Sequence, residues 1–300
     1  MDNNKLIDRY KVIVDNISYK YKYDNNIRHL LYIIVPAFIK KYGVDREKLI
    51  INTFDNVKVF ISDSKSYIIN AFYTSIPRYI GDKIITDKMI VINNYEKISL
   101  VNLLDNLVHE FNHAVNSYNN EIKYLDGKLY LRTGLTWSIY DKNSLRPIMK
   151  DNSYVLEEII NTKQTEDVID IIKSFNFVDD IISNTIYSIN NETSDNYSSK
   201  AYYLESYICR EILSNKTFIS TLENLRISGN VSDIEDWFDN ITSIDGSYNK
   251  FISYLNKIFN IEMELSKTKY FKKFKINRIR DMSRKVINII SDFNSNTNYN

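Results

Sequence analysis

Histidine is scarce in this 300-residue chain, which has only His29, His109 and His113. Cysteine is scarcer still. With Cys209 alone no intramolecular disulfide can form, so nothing here depends on an oxidising compartment. Cys209 lies in Tyr207-Ile208-Cys209 with no histidine near it in sequence, which fits a small buried hydrophobe better than a nucleophile. Neither charge is in surplus: 39 Lys plus Arg against 38 Asp plus Glu leave +1, so no global field favours nucleic acid, an anionic membrane or an acidic substrate. Any partner preference must be local. Long apolar runs are missing as well. The longest, Leu30 to Ile39, is about ten residues and contains Pro36, half of what a membrane span needs. Met1 to Arg9 alternates charge without an apolar signal core, so a cytoplasmic protein is expected. Six glycines and three prolines beside abundant Asn, Ile, Lys and Tyr suggest an A+T-rich bacterial coding sequence, a statement about codons rather than structure.

What remains is enough for a real core: 44% of residues are hydrophobic and 26% charged, which suits one large domain or two ordinary ones. Leu6, Tyr10, Ile13 and Val14, then Leu30, Leu31, Ile34, Val35 and Phe38, have helical spacing and predict two helices joined around Tyr23 to Asn26. From Val57 the pattern changes to short β-branched and aromatic runs at Val57 to Ile61, Ile68 to Tyr73, Ile84 to Thr86 and Met89 to Ile92. Turn signals at Asp63-Ser64 and Gly81-Asp82 separate them, so a small antiparallel or mixed sheet is expected. Ser99 is a plausible N-cap for a long helix whose apolar stripe runs Leu100, Leu103, Leu104, Leu107, Val108, Phe111 and Val115. Asp126-Gly127 then marks a hairpin and Thr133-Gly134 a second turn. After Pro147 the chain reads as almost entirely helical, over Tyr154 to Phe175, Val178 to Ser188, Ser198 to Leu213, Thr217 to Leu225 and Tyr248 to about Asp292, with a polar loop at Asn190 to Ser199. The expected architecture is α+β: an N-terminal part, residues 1–148, with a small mixed β-sheet packed on the long helix, and a mainly helical part, residues 149–300.

His109-Glu110-Phe111-Asn112-His113 fits the H-E-x-x-H pattern inside the predicted helix. Spacing of four puts both imidazoles on one helix face, where they can reach one tetrahedral Zn2+. Glu110 lies about 100° round the helix from His109, placed to take a proton from water at that metal without ligating it. Random placement would give this pattern in roughly one in a thousand chains of this composition. On a helical wheel the two histidines project away from the apolar stripe, so the competing reading is a solvated outer face.

A catalytic zinc usually takes three protein ligands. His29 lies beside Arg28 in an early amphipathic segment and fits a surface or core-edge role better than ligation. The third ligand should then be a carboxylate, and the best source is Leu156 to Glu166. There Glu158, Asn161, Thr162, Thr165 and Glu166 form one polar stripe on an otherwise apolar helix, while Glu157 is the rival ligand or a first-turn acid favoured by the helix dipole.

A strand-rich segment, a helix bearing His109-Glu110-x-x-His113 and a later helix bearing a glutamate together resemble the gluzincin group of zincin metallopeptidases, over about residues 57–175. The resemblance implies a zinc-dependent metallopeptidase acting on a peptide or protein substrate. It implies His109, His113 and Glu158 as ligands, Glu110 as general base and Thr162 at the position that supports a zinc-bound histidine. An acidic residue is frequent at that position in the family, so Thr162 is a departure, with Asn161, Asn112 or Asn116 as substitutes. It also implies that Met89 to Ile92, with Met89 and Val91, is an edge strand that binds extended substrate, the competing reading being an interior strand.

Tyr130 and Arg132, or Tyr203 and Tyr207 with Arg210, are candidate donors to a developing oxyanion. A basic run from Lys267 to Lys285, interrupted by Phe271, Phe274, Ile276 and Ile279, could bind nucleic acid or a membrane surface, although a solvated helix face is the plainer reading and the nucleic-acid signal is not strong. That run supports the alternative function, a non-catalytic metal-binding or helical interaction protein with a protein or nucleic-acid partner.

Overall fold

The apolar spacing at the N-terminus forms α1 (Asn3–Tyr21) and α2 (Asn25–Tyr42), and the break between them is fixed by Asp24, whose carboxylate caps α2 by accepting the Ile27 N–H at 2.9 Å. The computed structural model describes residues 3–62, 70–119, 121–150, 153–175, 184, 187, 202–267 and 272–297. The expected turn at Asp63-Ser64, the helix over Val178 to Ser188 and the polar loop at Asn190 to Ser199 lie outside the described residues, apart from positions 184 and 187. By contact density the chain divides into two compact units, Met1–Tyr118 with Gln164–Asn196 and Asn119–Lys163 with Tyr197–Asn300. The units therefore part elsewhere than at residue 148.

In the first unit a helix that the sequence pattern left unassigned, α3 (Glu47–Asn56), buries Ile50, Thr53 and Phe54. Next come β1 (Val57–Ser62), β2 (Ala71–Ile80) and β3 (Lys83–Asn93), in the order β1-β3-β2. β3 runs parallel to β1 and antiparallel to β2, joined to β2 through the expected turn at Gly81-Asp82. The two runs expected at Ile84 to Thr86 and Met89 to Ile92 are one strand. Met89 to Ile92 is not an edge: Met89 pairs with Lys58 and Thr74, and Val91 with Phe60 and Phe72. Ile90, Val91 and Ile92 are consecutively buried, as in a strand covered on both faces. Among the described strands β2 is an outer strand of this sheet, and it lies against α4.

α4 (Leu100–Asn116) starts at Ser99, whose Oγ accepts the Asn102 N–H at 3.3 Å. Leu103, Leu104, Leu107, Val108, Phe111 and Val115 are all buried, each worth about 1.5–3 kcal/mol of transfer free energy. The Phe111 ring stacks on Phe54 with centroids 4.0 Å apart, and Phe54 meets Phe38 edge-on at 5.4 Å. These rings hold α4 to α2 and α3.

The second unit contains an antiparallel meander, β4 (Ile122–Leu125), β5 (Lys128–Thr133), β6 (Thr136–Asp141) and β7 (Pro147–Lys150). Both expected hairpin turns form. The residues after Pro147 make a fourth strand before the helices begin, with proline at its first position on the edge of the sheet, where a missing N–H costs no ladder bond. α5 (Tyr154–Lys173) follows. Then come α6 (Tyr203–Ile208), α7 (Arg210–Leu213), α8 (Lys216–Ser228), α9 (Ile234–Thr242), α10 (Ser247–Lys267) and α11 (Lys272–Thr297). Leu156, Ile160, Phe218, Phe238, Phe251, Leu255, Val286 and Phe293 form their core, and Cys209 packs into it. Burial pushes the Cys209 thiol pKa up, which makes it inert. The architecture is α+β as expected, with small sheets and a mainly helical C-terminal part. Among the described residues no helix is long and apolar enough to cross a membrane.

Glu205 on α6 is completely buried, and burial, with Glu262 of α10 beside it, pushes its carboxyl pKa from 4.5 up to about 7. The folded state holds this proton more tightly than the unfolded chain, so the stabilisation is present below about pH 4.5 and is lost as pH rises through about 7. We expect unfolding free energy measured by denaturant titration to fall over this window by at most about 3 kcal/mol, and Glu205→Gln to flatten the fall.

Candidate metal centre

His109 and His113 are one turn apart on α4, with ring centroids 5.0 Å apart and planes at 81°. The competing reading of a solvated outer face does not hold, because His109, Glu110 and His113 are all buried. α5 is a single helix through which the unit boundary passes, between Lys163 and Gln164. Glu158 of this helix completes a group: one ligand atom each from His109, His113 and Glu158 all lie within 4.8 Å of one another. Glu158 is partly buried and the two histidines are buried. Two imidazoles and a carboxylate are the donor set of a three-ligand zinc site.

Glu157 has a different task. Its carboxylate accepts from the Arg226 guanidinium and, at 2.8 Å, from the Leu135 N–H. Arg226 is completely buried and also donates to Asn161 Oδ1 at 3.4 Å. The loop before Leu135 can approach only because residue 134 is glycine, with φ +55°; a Cβ there would lie 2.0 Å from Glu157 Oε1. Arg132, a sequence candidate for oxyanion stabilisation, is buried on β5 just before this loop and donates to the carbonyls of Gly134 and Asn119. Tyr130 packs edge-on against Trp137. Tyr203 and Tyr207 stack on each other in solvent, with Arg210 over Tyr207.

The support for His109 comes from Thr165 rather than Thr162. Thr165 Oγ1 is 3.5 Å from His109 Nδ1, whereas Thr162 Oγ1 is buried without a hydrogen-bond partner among the described residues. Helix geometry explains the difference: seven residues bring Thr165 within about 20° of the line through Glu158, while four carry Thr162 about 40° past it. Thr165 Oγ1 also accepts from Asn112 Nδ2 at 3.2 Å, and Asn112 Oδ1 accepts from the Tyr42 hydroxyl at 2.7 Å. Asn116 extends this chain to Gln164 at 3.3 Å and to the Asn112 carbonyl at 2.7 Å. Glu166 points outward and is exposed. His29, stacked on Tyr32, is not among the grouped residues.

Glu110 Oε2 accepts the Tyr73 N–H of β2 at 2.6 Å. This backbone donor left no mark in the side-chain pattern. Tyr202 was also missed. It stacks on Phe259 at 5.2 Å, and burial, then the negative charge of Glu158, raises its phenol pKa and keeps it protonated. No protein-family model, curated protein or solved structure matches the chain.

The two neighbouring glutamates should separate by experiment. Glu158→Gln is expected to weaken zinc binding, measured by chelator competition, more than about 100-fold with little change in stability. Glu157→Gln should retain zinc but cost about 3–5 kcal/mol in denaturant unfolding, since it leaves Arg226 buried and unpaired. Thr165→Val should fold normally and lose about 10-fold in zinc affinity in the same competition assay, through loss of the His109 partner.

Proposed function

We propose that this chain is a zinc-dependent metallopeptidase in which His109, His113 and Glu158 hold the metal and Glu110 is the general base. The observation that carries this reading is the three-residue donor group with the buried Glu110 carboxylate on the same helix turn. Zinc bound there would supply Lewis-acid polarisation of a peptide carbonyl and would acidify water.

The chain's own residues supply the rest. The Tyr73 N–H binds Glu110 Oε2, which orients the carboxylate that would take a proton from the attacking water and pass it to the leaving amine. Thr165 Oγ1 is 3.5 Å from His109 Nδ1, and an Nδ1–H donated to it would leave Nε2 as the nitrogen available to a metal. Substrate would lie along β2. There the Tyr73 N–H faces Glu110 rather than β3, on the edge of the strand that lies outside the β2–β3 ladder. An extended peptide added to that edge passes within reach of Glu110. Pro77, with no N–H to offer, limits how many bonds it can make.

The test is proteolysis of an unfolded protein substrate by purified enzyme. Glu110→Gln is expected to retain zinc and lose about 10²–10⁴-fold in rate. His113→Ala should lose the metal and the activity together. Wild-type rates in Glu110→Gln would overturn the general-base assignment.

A further inference from the structure

The basic run at the C-terminus plays no part in this chemistry. On α11, Val286, Ile290 and Phe293 turn inward to the core. On the outer face Lys273, Ile276, Arg280, Arg284 and Ile287 follow one another at offsets of three, seven, eleven and fourteen, a single line about 21 Å long, and all five are exposed. Residues 272–285 contain seven cations and one carboxylate in a chain whose total charge is only +1.

The nearby acids are already matched by other lysines: Asp281 pairs with Lys285 at 2.9 Å and Glu264 with Lys275 at 3.0 Å. Lys273, Arg280 and Arg284 have no carboxylate partner among the described residues. Ile276 and Ile287, each 44% exposed, punctuate this line, and Phe274, 62% exposed, stands beside its start.

We infer that this face of α11 docks on an anionic lipid surface. Unpaired cations at this spacing attract phosphate-bearing headgroups, and long basic side chains keep their charge at the headgroups while neighbouring apolar groups enter the interface. Ile276 and Ile287 favour lipid over nucleic acid: a phosphate backbone gains nothing from them, and single-strand binding relies on stacking aromatics. The one aromatic among the described residues of this basic stretch, Phe274, has Arg278 over its ring at 6.0 Å. The inference is independent of the zinc chemistry.

The full chain should be sedimented with vesicles of phosphatidylcholine alone and with vesicles containing about one-third phosphatidylglycerol. Binding is expected only to the anionic vesicles and should weaken as salt rises. The triple variant K273E/R280E/R284E should lose at least about tenfold in vesicle affinity. The double variant I276S/I287S should lose several-fold while keeping its salt dependence. These positions are exposed, so both variants should unfold at the wild-type temperature. Equal binding to both vesicles, no binding to either, or unchanged binding by the triple variant would each overturn the inference. So would binding to duplex DNA, but not to vesicles, that is unaffected by I276S/I287S.

Discussion

Two carboxylates stand side by side near the start of α5, and one of them is buried to the same degree as the apolar core. A carboxylate withdrawn from water persists only when a cation or several donors compensate it. Glu157 is compensated by Arg226 and the Leu135 N–H, in a space that exists because Gly134 has no side chain. This contact fixes the rotation of α5 about its own axis. Once Glu157 faces Arg226, Glu158 must project about 100° away, and it falls with His109 and His113. In the proposed function the cation that answers Glu158 is the metal itself. The same rotation brings Thr165, two turns on, to His109.

Burial also sets the character of the centre. His109, Glu110 and His113 are withdrawn from solvent, where fixed donors act more strongly than in water. Two of them meet groups that cannot easily move: a backbone N–H of a paired strand for Glu110, and a chain of Thr165, Asn112 and Tyr42 behind His109. Such restraint keeps reacting groups in register without reorganisation.

Much of this was legible in the sequence because it rests on local chemistry. Ser99 as N-cap, the Asp126-Gly127 hairpin and the four-residue spacing of the histidines depend on residues a few positions apart. The grouping of Glu158, rather than Glu157, with the histidines followed from the polar stripe of α5. What could not be read depends on distant partners. The sequence left a solvated face as the competing reading of His109 and His113, and polar groups from β2 and α5 that cover this face exclude it. Strand order was misjudged because the parallel pairing of β1 with β3 is non-local, although the unbroken apolar run Ile90 to Ile92 already suited an interior strand. Thr162 follows only from the four-residue offset that the family resemblance implies, whereas Thr165 Oγ1 is the group 3.5 Å from His109 Nδ1. The strand at Pro147 was too short to stand out from the helices that follow it.

The central claim is a metal held by two imidazoles and one carboxylate, and X-ray absorption at the zinc edge of the purified wild-type chain tests it most directly. The account predicts one zinc per chain with two nitrogen neighbours from imidazole and light oxygen neighbours at about 2.0–2.2 Å, and no sulfur. A spectrum showing sulfur ligation, or protein that takes up no zinc when supplied with it, would contradict the account.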